Sequence, residues 1–257
     1  MGILNFTPDS FYSESRTLND SSLLNKIELM LNEGATFLDI GAYSSRPGAK
    51  YVSKEEEKSR LLPALDMIVK EFPDLLISVD TFRAEIASEA IELGACMIND
   101  ISGGNLDENM FSLVAKKQVP YILMHMRGTP ETMSSLNKYD NLILDTISEL
   151  QQKINTLTNL GVNDLIIDPG LGFAKDLHHN YEIVKHLKSF EISGYPLLIG
   201  ASRKSMIYNL LDCNPEEALN GSTVVHTASL LNGASILRVH DVKAAVEAVK
   251  ITNLLKN

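Results

Sequence analysis

Eight times along the 257 residues, a short apolar run ends on a polar residue and gives way to an amphipathic segment. The runs are Gly2 to Asn5, Thr36 to Ile40, Leu76 to Asp80, Cys96 to Asn99, Tyr121 to Met124, Leu165 to Asp168, Leu197 to Gly200 and Ser235 to Val239. Such alternation predicts parallel strands joined by crossover helices. Glycines in Gly34-Ala35, Gly94-Ala95, Gly161-Val162 and Gly233-Ala234 stand where a left-handed residue would stop each helix and turn the chain into the next strand. One unit takes about 32 residues, which matches the ~250 residues of a (β/α)8 TIM barrel. An open doubly wound sheet would need a glycine-rich first turn or a terminal run of helices, and neither is present. No linker rich in Pro, Gly or Ser divides the chain, so residues 1–257 are expected to form a single barrel domain.

Between the strands, Ser53 and Glu56 form a capping-box pattern before Leu61, Leu62, Leu65, Ile68 and Phe72, with Pro63 expected to kink that helix. Leu142, Ile143, Ile147, Leu150, Ile154 and Leu157 place an apolar stripe on a longer helix ending at Gly161. Phe6 to Asn19 is long for a strand-to-helix connection and is expected to act as a lid, the next helix beginning near Asp20. Met1 lies directly on the first strand with nothing before it to cover the bottom of a barrel, so either the chain is truncated there or the bottom is closed by something else.

Composition narrows the function classes. A formal charge of -10 and the lack of a Lys/Arg stripe interleaved with aromatics argue against a nucleic-acid partner. Apolar runs such as Tyr121 to Met124 are far short of the ~20 residues needed to cross a bilayer. The start carries no basic and apolar leader, so the cytoplasm is the expected location. Cys96 and Cys213 lie in unlike surroundings with no CxxC, which disfavours a disulfide framework or a zinc site.

In a barrel the strand C-termini converge on one face, which carries the chemistry. Here they bring Asn5, Asp39, Asp80, Asn99 with Asp100, His125, Asp168, Ser202 with Arg203 and Lys204, and Arg238 with His240. Asn and Asp also cap following helices, so each alone has a structural account; the whole set points to a polar ligand. Asp80, Asn99, Asp168 and Lys204 supply acceptor, mixed and donor groups suited to a flat heterocycle, while Asn5, Arg46, Arg238 and His240 suit a phosphate or carboxylate. Met124 to Met126 read as barrel-top packing, with Met124 also placed to lie against a flat ring. The stretch GASRKS at Gly200 lacks P-loop glycine spacing, and Gly170-Leu171-Gly172 lacks the third glycine of a dinucleotide site. His178, His179 and His186 receive no role.

The segments MGILNFTPDSF at Met1, DIGAYSSRPGA at Asp39, SVDT at Ser78, INDISGG at Ile98, LMHMRG at Leu123, IDPGLGFAK at Ile167, GASRKS at Gly200 and RVHDV at Arg238 together resemble the dihydropteroate synthase family, in order over nearly the whole chain. That resemblance implies Mg2+-dependent condensation of a dihydropterin bearing a hydroxymethyl pyrophosphate with p-aminobenzoate. By motif position, it assigns Asp80, Asn99, Asp168 and Lys204 to the pterin edge and Met124 to its face. Asn5 would bind Mg2+ and pyrophosphate with Arg238 and His240, and Asp39 would support the floor. Ser45, Arg46, Phe173, Lys204 and Ser205 would form the p-aminobenzoate side. Asn5, Asp39, Asp80, Lys204 and Arg238 are thereby the catalytic set, and a homodimer is implied, with the Ala228-Ser229-Leu230-Leu231 segment in its interface or packed on the barrel. Two loops depart from the family. Ser13, Glu14 and Ser15 replace an aspartate and two glycines, and Ala42-Tyr43-Ser44-Ser45-Arg46-Pro47 replaces a Gly-Glu-Ser-Thr-Arg-Pro run. A methyl-transferring relative with the same pterin pocket would lack the anion cradle; a non-catalytic pterin binder would lack turnover.

Overall fold

The computed structural model describes residues 1–6, 16–43 and 51–256. Six strands, β1 (Gly2–Asn5), β2 (Phe37–Gly41), β3 (Leu76–Asp80), β4 (Met97–Asp100), β5 (Tyr121–Met124) and β6 (Leu165–Asp168), pair in parallel in chain order. Two shorter ones, β7 (Leu198–Ile199) and β8 (Ile236–Leu237), pair with each other. The ring closes through backbone bonds on both flanks: Ile167 N donates to Pro196 O at 2.9 Å, Ile3 N to Val239 O at 2.9 Å and Val239 N to Met1 O at 2.9 Å. The result is an eight-stranded α/β barrel whose closing strands are shorter than their apolar runs suggest.

Around it lie α1 (Arg16–Asn32), α2 (Lys54–Glu71), α3 (Ala84–Leu93), α4 (Met110–Lys117), α5 (Leu142–Asn159), α6 (Leu177–Lys185), α7 (Ser205–Tyr208), α8 (Leu219–Leu231) and α9 (Val242–Lys256). Gly34, Gly94, Gly161 and Gly233 all have positive φ, as the helix-stop reading requires. Helix α1 starts at Arg16, four residues before the expected Asp20. The Ser53 hydroxyl accepts from Glu56 N at 3.2 Å, but Glu56 sends its own carboxylate to Arg60, so only half of the capping box forms. Helix α2 continues through Pro63, which faces solvent, where water can satisfy the carbonyl it frees.

The period of two along each strand sorts its side chains. On β5, Tyr121 and Leu123 join the main core beneath the helices, Ile122 joins a barrel-interior layer with Met97, Ile166 and Leu198, and Met124 joins a cluster above it. The apolar layer fills the barrel's lower interior. The next interior positions upward are polar, and that change of chemistry places the site.

Candidate functional site

Asp39, in the middle of β2, is fully buried and forms the floor. It accepts from Ser78 Oγ at 2.6 Å, Asn99 Nδ2 at 3.0 Å and Arg238 Nε at 2.6 Å. The same guanidinium donates through Nη2 to Asp80 Oδ2 at 2.7 Å. Arg238 thus ties β8 to β2 and β3, and two carboxylates that would repel each other share one cation. Burial pushes the Asp80 carboxyl upward, which Arg238 opposes and Asp39 reinforces.

Across the mouth, Asp168 closes β6 with its carboxylate capping the turn that follows: Oδ1 accepts from Gly170 N at 2.7 Å. Burial raises its pKa, and the Lys204 charge counters that rise. Lys204 sits at the start of α7; its ammonium donates to Leu171 O and lies 4.8 Å from the centroid of the Phe173 ring. Burial brings this lysine down to about 8, partly offset by Asp168. An idealised Cβ on Gly200, just past β7, would lie 3.9 Å from both Lys204 Nζ and Arg238 Cβ, so both side chains pass against the bare face of this glycine. Phe173 packs with Met124, Met126, Ile101 and Met133, giving the polar floor an apolar wall. Met124 and Met126 are packing residues, as the sequence suggested. Asn5 ends β1 beside Gly41 of β2, and His240 N and Nδ1 are each 3.1 Å from Ser202 Oγ. Ser205 opens α7 at the surface.

Not every polar strand end belongs to this set. Asp100 follows Asn99 and therefore faces the helices, where it accepts from Ser102 N and Oγ, Gly104 N and Tyr121 Oη. Arg203 pairs through Nε and Nη2 with Asp241, each at 2.8 Å, and fixes the chain after β7. His179 completes a capping box with Asp176 at the start of α6. Ser45 and Arg46, like Ser13, Glu14 and Ser15 of the expected lid, lie outside the described residues.

The structure adds residues to which sequence reasoning gave no role. Lys175 Nζ is buried 2.9 Å from His125 Nδ1, and His125 Nε2 is 3.0 Å from Glu149 Oε2 on α5. Burial brings Lys175 down to about 7 and, with Lys175 adding to it, His125 down to about 4. Burial would push Glu149 up, but hydrogen bonds from His125 and Arg127 hold it at about 2. Only His125 carried a sequence signal, as a strand end. Lys175 lies seven positions past Asp168, and nothing in the sequence shows that the intervening turn brings its ammonium back under the barrel mouth.

A model of the family described as pterin binding enzyme matches residues 1–240. The chain belongs to that family. Among its relatives, the dihydropteroate synthase of Escherichia coli K12 is 42% identical over 256 residues, covering 98% of this chain and 89% of that protein. The folic acid synthesis protein of Pneumocystis carinii is 40% identical over 263 residues, and this chain spans 35% of its length. A crystal structure of the Xanthomonas albilineans dihydropteroate synthase with 4-aminobenzoic acid superimposes with a TM-score of 0.90 at 35% identity, covering 99% of this chain and 92% of that one. The family's pterin site is thus to be sought at the barrel mouth, where polar side chains converge.

Proposed function

We propose that the chain catalyses the dihydropteroate synthase reaction, condensing a dihydropterin pyrophosphate with p-aminobenzoate. The observation that carries this reading is the joining of two unlike surfaces at one barrel mouth: a polar ring of buried Asp39, Asn99 and Asp168 with half-buried Asp80, Arg238 and Lys204, and an apolar wall containing Phe173 and Met124. Identity of 42% to the Escherichia coli enzyme over nearly the whole chain supports the same reading.

In this reaction the bond between the pterin methylene carbon and a diphosphate oxygen breaks. The amine nitrogen bonds to that carbon and releases one proton. Asp168 and the Oδ1 atom of Asp80 would accept hydrogens from the ring edge, Asn99 would present its amide oxygen, and Lys204 would donate to a ring acceptor. Two carboxylates near the ring also favour the positive charge that spreads into it as the leaving group departs. Met124 and Phe173 would exclude water from that centre, which water would otherwise capture. Phe173, Lys204 and Ser205, with Ser45 and Arg46, would receive the p-aminobenzoate. Arg238 and His240, with Asn5, would receive the diphosphate.

Asn5 brings one hard oxygen donor to the mouth, and among the described residues no group of three His, Cys, Asp or Glu side chains is placed to hold a metal. That set fits a Mg2+ bound chiefly by substrate phosphates and water, with Asn5 as its protein ligand. When bound, Mg2+ would offset charge on the departing diphosphate.

We further infer one domain, a cytoplasmic location and a homodimer. No helix among the described residues is long and apolar enough to cross a membrane. Val224 on α8 and Ile251 and Leu254 on α9 are 60 to 80% exposed, which supports a partner surface there. Of the Ala228–Leu231 segment, Leu230 is buried and Leu231 exposed. The test of function is diphosphate release with Mg2+ and both substrates. Release that depends on the amine supports the reading. Pterin binding without turnover would leave a binder only, and failure to bind pterin would overturn the site.

A further inference from the structure

The turn between β6 and α6 rests on a buried cation outside the ring just described. Lys175 Nζ has three neighbours: His125 Nδ1 at 2.9 Å, Phe173 O at 3.0 Å and Gly170 O at 3.1 Å. An ammonium has three hydrogens to give and accepts none, so these partners saturate it. Nδ1 of His125 must then be the bare nitrogen, and Nε2 carries the hydrogen toward Glu149. Arg127 holds Glu149 in turn, with Nε at 3.0 Å from Oε1 and 3.2 Å from Oε2. A neutral His125 thus links the Lys175 ammonium to the Glu149–Arg127 pair nearer the surface.

Lys204 donates to the Leu171 carbonyl of the same turn. The carbonyls of Gly170, Leu171 and Phe173 therefore each end on an ammonium, two on Lys175 and one on Lys204. A well-packed apolar side chain would serve stability as well as a buried charge does. What the charge adds is direction: all three hydrogen bonds go to the turn or to the strand end beneath it, and none to the surrounding core.

We propose that Lys175, oriented by His125 and Glu149, is a positioning residue that sets the shape of the 170–174 turn and thereby the binding of the aryl amine against Phe173. This rests on the reading of Phe173 as part of the p-aminobenzoate side.

The experiment compares the full-length protein with Lys175→Met, His125→Leu and His125→Asn. Asparagine keeps an acceptor for Lys175, and leucine does not. Lys175→Met and His125→Leu should raise KM for p-aminobenzoate about tenfold or more, with kcat and pterin affinity changed less than about threefold, while His125→Asn stays within about threefold of the parent. Hydrogen exchange gives a reading independent of turnover: the amides of Gly172 and Phe173, held by Asn180 Oδ1 at 2.6 Å and Gly170 O at 3.2 Å, should exchange about tenfold faster in Lys175→Met with core amides unchanged. Unchanged turn exchange, or an unchanged KM with only a lower Tm, overturns the proposal. If Lys175→Met does not fold, the His125→Leu and His125→Asn pair decides on the same two readouts. Faster turn exchange in a protein whose wild type makes no product would leave the clamp standing and overturn the aminobenzoate reading instead.

Discussion

Arg238 gives two of its three guanidinium nitrogens to Asp39 and Asp80, so its removal reaches beyond any anion it meets. Arg238→Met would leave the buried Asp39 and half-buried Asp80 carboxylates facing each other without their cation. A loss of about 3–5 kcal/mol of stability is expected, read from urea midpoints. Binding of both pterin and pyrophosphate should weaken; a variant of parental stability that loses only pyrophosphate would show that the pairing contributes little. Asp168 is the cleaner probe of the ring, because its one side-chain hydrogen bond among the described residues, from Gly170 N, also fits an amide oxygen. In Asp168→Asn the other half of the amide aims a donor at a pterin donor. Pterin affinity should fall by roughly 1.5–3 kcal/mol for each charged hydrogen bond lost, and calorimetry showing unchanged affinity would remove Asp168 from the site.

The turn that leaves β6 carries more of the site than any strand does, since Asp168, Gly170, Phe173 and Lys175 all belong to it or flank it. Gly170 has φ of +74°, and a Cβ there would lie 2.0 Å from the His125 carbonyl oxygen. Gly170→Ala must therefore shift the turn; a drop of at least about tenfold in kcat/KM is expected, and parental kinetics would show that the turn adapts without cost. Strand ends were legible at this scale because alternation and terminal polarity are written in adjacent residues. Asp39, Asp80, Asn99 and Asp168 come together because each occupies an inward position. The same rule applied one residue further removes Asp100 from the mouth, a distinction that needs the register and not the composition. The role of Lys175 was not legible, because it depends on the three-dimensional path of a seven-residue turn.

For the molecule as a whole, parallel order could be read from eight runs, whereas barrel closure depends on single backbone bridges at Leu197 and Val239 that no residue type announces. Burial leaves a signature in acid. His125 is held neutral down to about 4, so the unfolded chain takes up its proton first as the pH drops. The stability this gives is complete above ~6.5 and is lost as pH falls through about 4. Asp80, raised by burial, works in the opposite sense over the range above its ordinary value. The His125 share is isolated by comparison: the fall in urea midpoint between pH 7 and pH 4.5 should be smaller in His125→Asn than in the parent. Equal falls would mean that His125 titrates alike in both states. The account's central claim is that one barrel mouth brings a pterin diphosphate and an aryl amine together for bond exchange. Dihydropteroate and diphosphate, quantified together in one reaction with Mg2+, should appear in a 1:1 ratio, depend on both substrates and vanish in Asp168→Asn; diphosphate released without dihydropteroate, or neither product from the wild-type protein, would contradict it.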